Sequence, residues 1–183
     1  MFIDNDTKLR VNINAPYKGF SRLDTPEIRA AANVVEIADP TPPADYSDDI
    51  YYRTESQESP YVIYTKKSDE QIAAVRWSKI KTKRDELTDN GGCNLAGKWF
   101  HTDPKSKQQQ MALTMLGASI PADLQWKTMD GSFIEMTQTL AAQLFGAQVQ
   151  REQTIFAHAE ALNLDPAADI DAGWPARYET AAI

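Results

Sequence analysis

The stretch Leu124-Gln125-Trp126-Lys127-Thr128-Met129-Asp130-Gly131-Ser132-Phe133-Ile134-Glu135-Met136 carries the clearest local signal in the chain. Two short runs flank Asp130-Gly131, the dipeptide favoured where antiparallel strands are joined by a two-residue turn. A β-hairpin with Asp130-Gly131 at its tip is therefore predicted. The period changes directly after it. Thr137 stands in a capping position, and Leu140, Leu144, Gln148, Arg151, Ile155, Ala159 and Leu162 recur at helical spacing, with Phe145 and Phe156 widening the stripe. This predicts a long helix ending near Asn163, before Asp165-Pro166.

Working back toward the N-terminus, Lys98-Trp99-Phe100-His101 reads as a short strand. Asp103 can cap, and Pro104 open, a helix that runs to about Leu116 and stops at Gly117. Met111 and Met115, one turn apart, are assigned to its inner face. Asp89-Asn90-Gly91-Gly92 closes the preceding helix, because glycine takes the conformations that end helices at little cost. That helix begins with Ser68 and Gln71 in a capping-box pattern and has neither glycine nor proline from Asp69 to about Leu87. Its apolar positions Ile72, Val75, Ile80 and Leu87 make only an uneven stripe, so it is read as a bridge between two halves.

The first 67 residues have a different character. Leu9, Val11 and Ile13 alternate with polar residues and predict a half-buried strand. Thr25-Pro26 opens a short helical turn, and Val34-Val35-Glu36-Ile37 reads as a strand. Asp39-Pro40-Thr41-Pro42-Pro43-Ala44-Asp45 should act as a stiff extended connector. Beyond it, Ile50 to Thr54 and Tyr61 to Thr65 are aromatic and β-branched runs expected to pair as a hairpin. From Ala167 to Ile183 there is no periodicity, and Trp174 is the only large anchor of that arm.

The bulk composition bounds the possible functions. The chain has 183 residues, a 25% charged and a 42% hydrophobic fraction, and a net charge of −7. Those proportions fit a folded protein of one domain or two small ones. An acidic whole-molecule field disfavours nucleic acid as the main partner. The single cysteine, Cys93, excludes an internal disulfide framework. There is no secretory leader pattern after Met1 and no apolar run of membrane-spanning length, so a protein made in the cytoplasm and free of membrane is expected.

Constellations that could carry chemistry are sparse. Cys93, His101 and Asp103 are near one another in sequence, but Cys93 lies in a glycine-rich turn without a nucleophile motif and is read as a small structural residue. Two histidines, His101 and His158, supply few metal ligands. Asp169, Asp171 and Gly173 resemble the opening of a calcium loop, yet the third carboxylate and terminal glutamate are missing. The cations Arg76, Lys79, Lys81, Lys83 and Arg84 are read as a solvated helix face. No catalytic, metal or cofactor residue is assigned, and an enzyme is not expected. The interface candidates are Tyr46, Tyr51, Tyr52, Tyr61 and Tyr64, with Trp174, because tyrosine gives large contact area at modest entropic cost.

Two stretches resemble known families. Asp39 to Tyr46, with Tyr51 to Glu55, Ser59 to Lys67 and Asp69 to Ile72, resembles a segment shared among tail and tail-fibre-region proteins of bacteriophages. Residues 80–162 are similar to the domain-of-unknown-function family 4376, found in phage tail proteins. The matching features are Lys83-Arg84-Asp85, Gly91-Gly92, Trp99 to Asp103 with Ser106 and Gln109, Trp126, Asp130-Gly131 and the apolar helix from Thr137. The resemblance implies a structural component of the phage tail, tail fibre or baseplate, located in the virion tail. Its partners would be other tail, baseplate or fibre proteins and further copies of itself. The alternative it leaves open is a chaperone that caps or folds the fibre tip. The expected architecture is α+β: a β-rich attachment module over 1–67, a bridging helix over 68–87, a module of two helices on a small antiparallel sheet over 88–165, and an arm over 166–183.

Overall fold

The computed structural model describes residues 1–179. The chain divides into two compact units, Met1–Ile72 and Ala73–Ile183. Its class is α+β, with short two-stranded antiparallel sheets and with its long helices after residue 68.

In the first unit, β1 (Phe2–Asp4) pairs antiparallel with β2 (Val34–Glu36), and α1 (Pro26–Ala31) leads into β2. Thr25 caps α1 by accepting a hydrogen bond from the Ile28 N–H, with Pro26 at the first turn. Val11, Leu23, Ala32 and Val34 form the core, flanked by Phe2, Ile13, Tyr17, Phe20 and Ile28. The strand expected through Leu9, Val11 and Ile13 does not form. The buried Asp4 carboxylate collects the N–H groups of Asp6 and Thr7 and turns the chain, and Lys8 sits at φ 60. Arg10 keeps a single bridge to Ile3, and β1 takes the place in the sheet.

The second sheet of this unit is the hairpin of β3 (Tyr51–Glu55) and β4 (Val62–Lys66), which pairs Tyr51 with Lys66 and Glu55 with Val62. It is tied to the Arg10 segment by an Arg10–Glu55 ion pair, by Arg10 N–H donating to Gln57 O at 2.8 Å, and by the Tyr61 hydroxyl donating to Lys8 O.

Helix α2 (Asp69–Asn90) opens with both bonds of the expected capping box. Ser68 N–H donates to Gln71 Oε1 at 2.9 Å, and Gln71 N–H to Ser68 Oγ at 3.3 Å. The division between the units falls at Ile72, in the first turn of this helix.

The second unit contains the hairpin of β5 (Cys93–Leu95) and β6 (Lys98–Phe100), helix α3 (Pro104–Leu116), the hairpin of β7 (Gln125–Lys127) and β8 (Phe133–Glu135), and helix α4 (Gln138–Leu164). The strands form two separate hairpins, not one sheet. Asp103 caps α3 through Ser106 N–H at 3.0 Å, and Thr137 caps α4 through Leu140 N–H at 3.1 Å. The Asp130-Gly131 turn is one residue longer than expected. Thr128 N–H donates to Ser132 O and Gly131 N–H to Thr128 O, which makes a three-residue loop with Gly131 at φ 81. That is a type I turn followed by a left-handed glycine. The Asp130 carboxylate accepts from Thr128, Ser132 and Lys98, which holds it far below the usual carboxylate range.

Helix α4 serves two core clusters. Its first half buries Ala141 and Leu144 against Cys93, Phe100 and Met136. Its second half buries Ala159 and Leu162 against Ile80, with Trp77, Ile170 and Trp174 beside them. The Arg76 guanidinium donates to the carbonyls of Leu162, Asp165 and Ala168, closing the C-terminal end of α4.

The expected inner placement of Met111 and Met115 is overturned: they are 48% and 81% exposed. The buried member of α3 is Gln110, which donates to His101 O at 3.1 Å and accepts from the buried Gln148 of α4. A helix turns about 100° per residue, so fixing Gln110 and Thr114 inward swings Met111 and Met115 to the side. Phe145 and Phe156 are displaced in the same way by the buried Leu144 and Ile155, and both remain exposed.

Candidate attachment surface

The Tyr51–Lys66 register assigns each hairpin residue to a face. In an antiparallel pair, directly opposed residues project to the same side. Tyr51, Arg53 and Glu55 therefore share a face with Lys66, Tyr64 and Val62, while Tyr52 and Thr54 share the other with Thr65 and Ile63.

The first face is covered by the end of the proline-rich connector. Tyr46 packs edge-on to Tyr64 with ring centroids 5.1 Å apart, and lies 6.1 Å from Tyr51. Two aspartates accept from these tyrosines: Asp45, at the end of the connector, from the Tyr51 hydroxyl at 2.9 Å, and Asp48, three residues on, from the Tyr46 hydroxyl. Those bonds favour the neutral phenols and raise both tyrosine pKa values. Lys67 adds an Nζ bond to Asp48 O at 2.6 Å. Arg53 and Arg10 both reach Glu55, and together they lower its pKa, Arg10 first. This side of the hairpin is fastened within the unit.

Among the described residues the second face has no such cover. Tyr52 is 48% and Ile63 41% exposed, and Thr54 and Thr65 are exposed beside them. Lys67 lies over the Tyr52 ring at 4.9 Å and leaves the rest of the face open. Four aromatic or β-branched side chains of one hairpin thus share an exposed face, with Lys67 at its edge.

The structure sorts the six interface candidates into four situations. Tyr46, Tyr51 and Tyr64 form the half-buried cluster under the connector. Tyr52 is the open one. Tyr61 is corrected to a core residue: it is only 7% exposed, and its hydroxyl is used by Lys8 O. Trp174 belongs to the second unit, where its Nε1 donates to Ile170 O at 2.8 Å and its ring meets His158 edge-on at 4.7 Å. It anchors the C-terminal arm internally. Ile63, Thr54 and Thr65 were missed in the sequence reading, although their alternation within the run 61–65 would have placed Ile63 and Thr65 together once the register was known.

Elsewhere the candidate chemistry resolves into structure. Cys93 is buried in β5, and burial pushes its thiol pKa up, away from a reactive thiolate. Asp103 is occupied as a helix cap, its pKa lowered first by Ser106. Asp171 pairs with Lys83, and Asp169 accepts from Asp171 N–H. Among the described residues there is no group of three His, Cys, Asp or Glu side chains that could hold a metal ion. Among them, too, no helix is long and apolar enough to cross a membrane.

Residues 71–180 match the family described as Domain of unknown function (DUF4376), which is more than half of the chain. No match was found among curated proteins or among solved structures.

Proposed function

The chain belongs to the DUF4376 family, and from that premise we propose that it is a non-enzymatic structural component of a bacteriophage tail, attached to a fibre or baseplate protein through its N-terminal hairpin. The observation that carries the attachment is the open face of Tyr52, Thr54, Ile63 and Thr65. Isolated two-stranded hairpins are marginal in water, and one that leaves an aromatic and β-branched face in solvent gains from a partner laid across it. The connector and the Asp45–Tyr51 bond hold that face in a set conformation, which lowers the ordering cost of binding. The phage-tail setting is supported by the resemblance of residues 39–72 to tail and tail-fibre-region proteins.

The test is mass spectrometry of purified particles of the phage that encodes the chain, calibrated against the major tail protein. The expected result is stoichiometric presence in multiples of three or six, lost when Tyr52→Ala and Ile63→Ala are combined. Absence from particles, together with loss of fibres on deletion of the gene, would replace this reading with a fibre assembly chaperone.

A further inference from the structure

The second unit exposes an apolar surface that attachment through the first unit does not use. On α3, Met115 is 81% and Met111 48% exposed; on α4, Phe145 and Val149 are each more than 40% exposed. The two helices run antiparallel, with Thr114 Oγ1 donating to Ala141 O and Gln110 bonded to Gln148, so these four side chains lie along one side of the pair. Met111, Phe145 and Val149, with Pro104, Gln108 and Gln148, line a hollow of about 330 Å³. Met115 projects one turn further along α3 from that hollow.

We propose that this face is a homotypic interface: two copies of the chain associate about a two-fold axis, each seating Met115 in the hollow beside Met111, Phe145 and Val149 of the other. A knob and a hollow on one face are what an isologous contact requires, since each copy then offers both halves of the fit. Joining two antiparallel helix pairs makes a four-helix arrangement of ordinary packing geometry.

Charge points to the same occupant. The protein carries a net charge of −7, yet residues 108–122 and 138–150 contain no Asp, Glu, Lys or Arg. Self-association through this face therefore brings no like charges together at its centre. The rim of the hollow carries one charge of each sign, Lys107 of α3 and Glu152 of α4, 2.6 Å apart. A basic or acidic partner would call for a rim of one sign.

The area suits a weak, reversible contact. Met111, Met115, Phe145 and Val149 expose on the order of 400 Å² of apolar surface, about half of what each side of a standard interface buries. The intervening Gln and Ala side chains supply the polar surround.

Sedimentation of the full-length protein across roughly 1–100 µM, a range spanning micromolar affinity, tests the proposal. The wild type should shift from one to two copies with rising concentration. Met115→Glu and Val149→Glu should each weaken that association about 100-fold with unchanged helical circular dichroism, and Tyr52→Ala, on the attachment hairpin, should leave it intact. Hydrogen exchange of the wild type gives a reading free of substitutions: amides in 108–116 and 141–152 should lose protection on dilution. A wild type that stays monomeric throughout would overturn the proposal. So would a dimer indifferent to both glutamates, or concentration-dependent protection confined to residues 51–66. The last result would instead make the N-terminal hairpin the self-association surface, so failure here is distinguishable from failure of the attachment reading.

Discussion

The two units hold themselves together differently. The first unit is organised around a charge. Asp4 is fully buried and accepts from Asp6 N–H at 2.7 Å, Thr7 N–H at 3.1 Å, Lys18 Nζ at 2.6 Å and the Tyr17 hydroxyl. Around it run three-residue strands, one six-residue helix and long connections. The second unit is organised around a hydrophobic stripe, the 27-residue α4 with Leu144, Ile155 and Ala159 fully buried. Where regular elements are too short to bury much apolar surface, a saturated carboxylate can order several loops at once. Where a helix is long, periodic burial does that work.

The contrast can be broken most severely at α4. Leu144→Ala removes a completely buried side chain from the cluster of Phe100, Met136 and Ala141 and should cost about 2–5 kcal/mol. All four tryptophans, Trp77, Trp99, Trp126 and Trp174, lie in the second unit, so the fluorescence midpoint in urea reports that unit directly.

The corresponding change in the first unit is Asp4→Asn. The bond from Lys18, then that from Tyr17, holds the Asp4 carboxyl far below its ordinary range. A lowered folded-state pKa means that the group's stabilisation is fully present above the unfolded carboxyl value near pH 4 and is lost as pH falls through the folded value. Hydrogen exchange of residues 2–24 should therefore show protection that declines below about pH 4 in the wild type. In Asp4→Asn, protection should be weaker at neutral pH and flatter with acid. An unchanged acid response would show that Asp4 is not the hub of this unit.

A milder test is Thr137→Ala, which removes the oxygen that accepts Leu140 N–H at the start of α4. It should cost about 1 kcal/mol, again read from tryptophan fluorescence. Smallest of all is Tyr52→Ala. Its ring is half exposed, so stability should change by less than about 0.5 kcal/mol. A larger loss would mean that Tyr52 is a structural residue and not a free contact surface.

Legibility of the sequence followed the same divide. The expected caps at Thr25, Asp103 and Thr137 and the paired bonds of Ser68 and Gln71 are all present. The strand expected through Leu9 to Ile13 is absent because a buried aspartate five residues earlier bends the chain, a role that hydrophobic alternation cannot reveal. The tyrosine-rich runs were legible as composition, but which residues share the exposed face was not, since that depends on the Tyr51–Lys66 register.

By itself, then, the sequence determined the helix starts, the hairpins of β3–β4 and β7–β8 and the α+β class, because caps, turns and periodicity act across three or four residues, whereas β5, which pairs with the expected strand at Lys98, was not legible. Only the tertiary structure decided which faces are buried. Gln110 turns inward because Gln148 lies 38 residues away to meet it, and Tyr61 leaves the surface because Lys8, 53 residues away, offers its carbonyl. A buried polar group must find its partner wherever the fold places one. Such long-range pairings set the rotation of α3 and the use of each tyrosine, and with them the surfaces left free to bind.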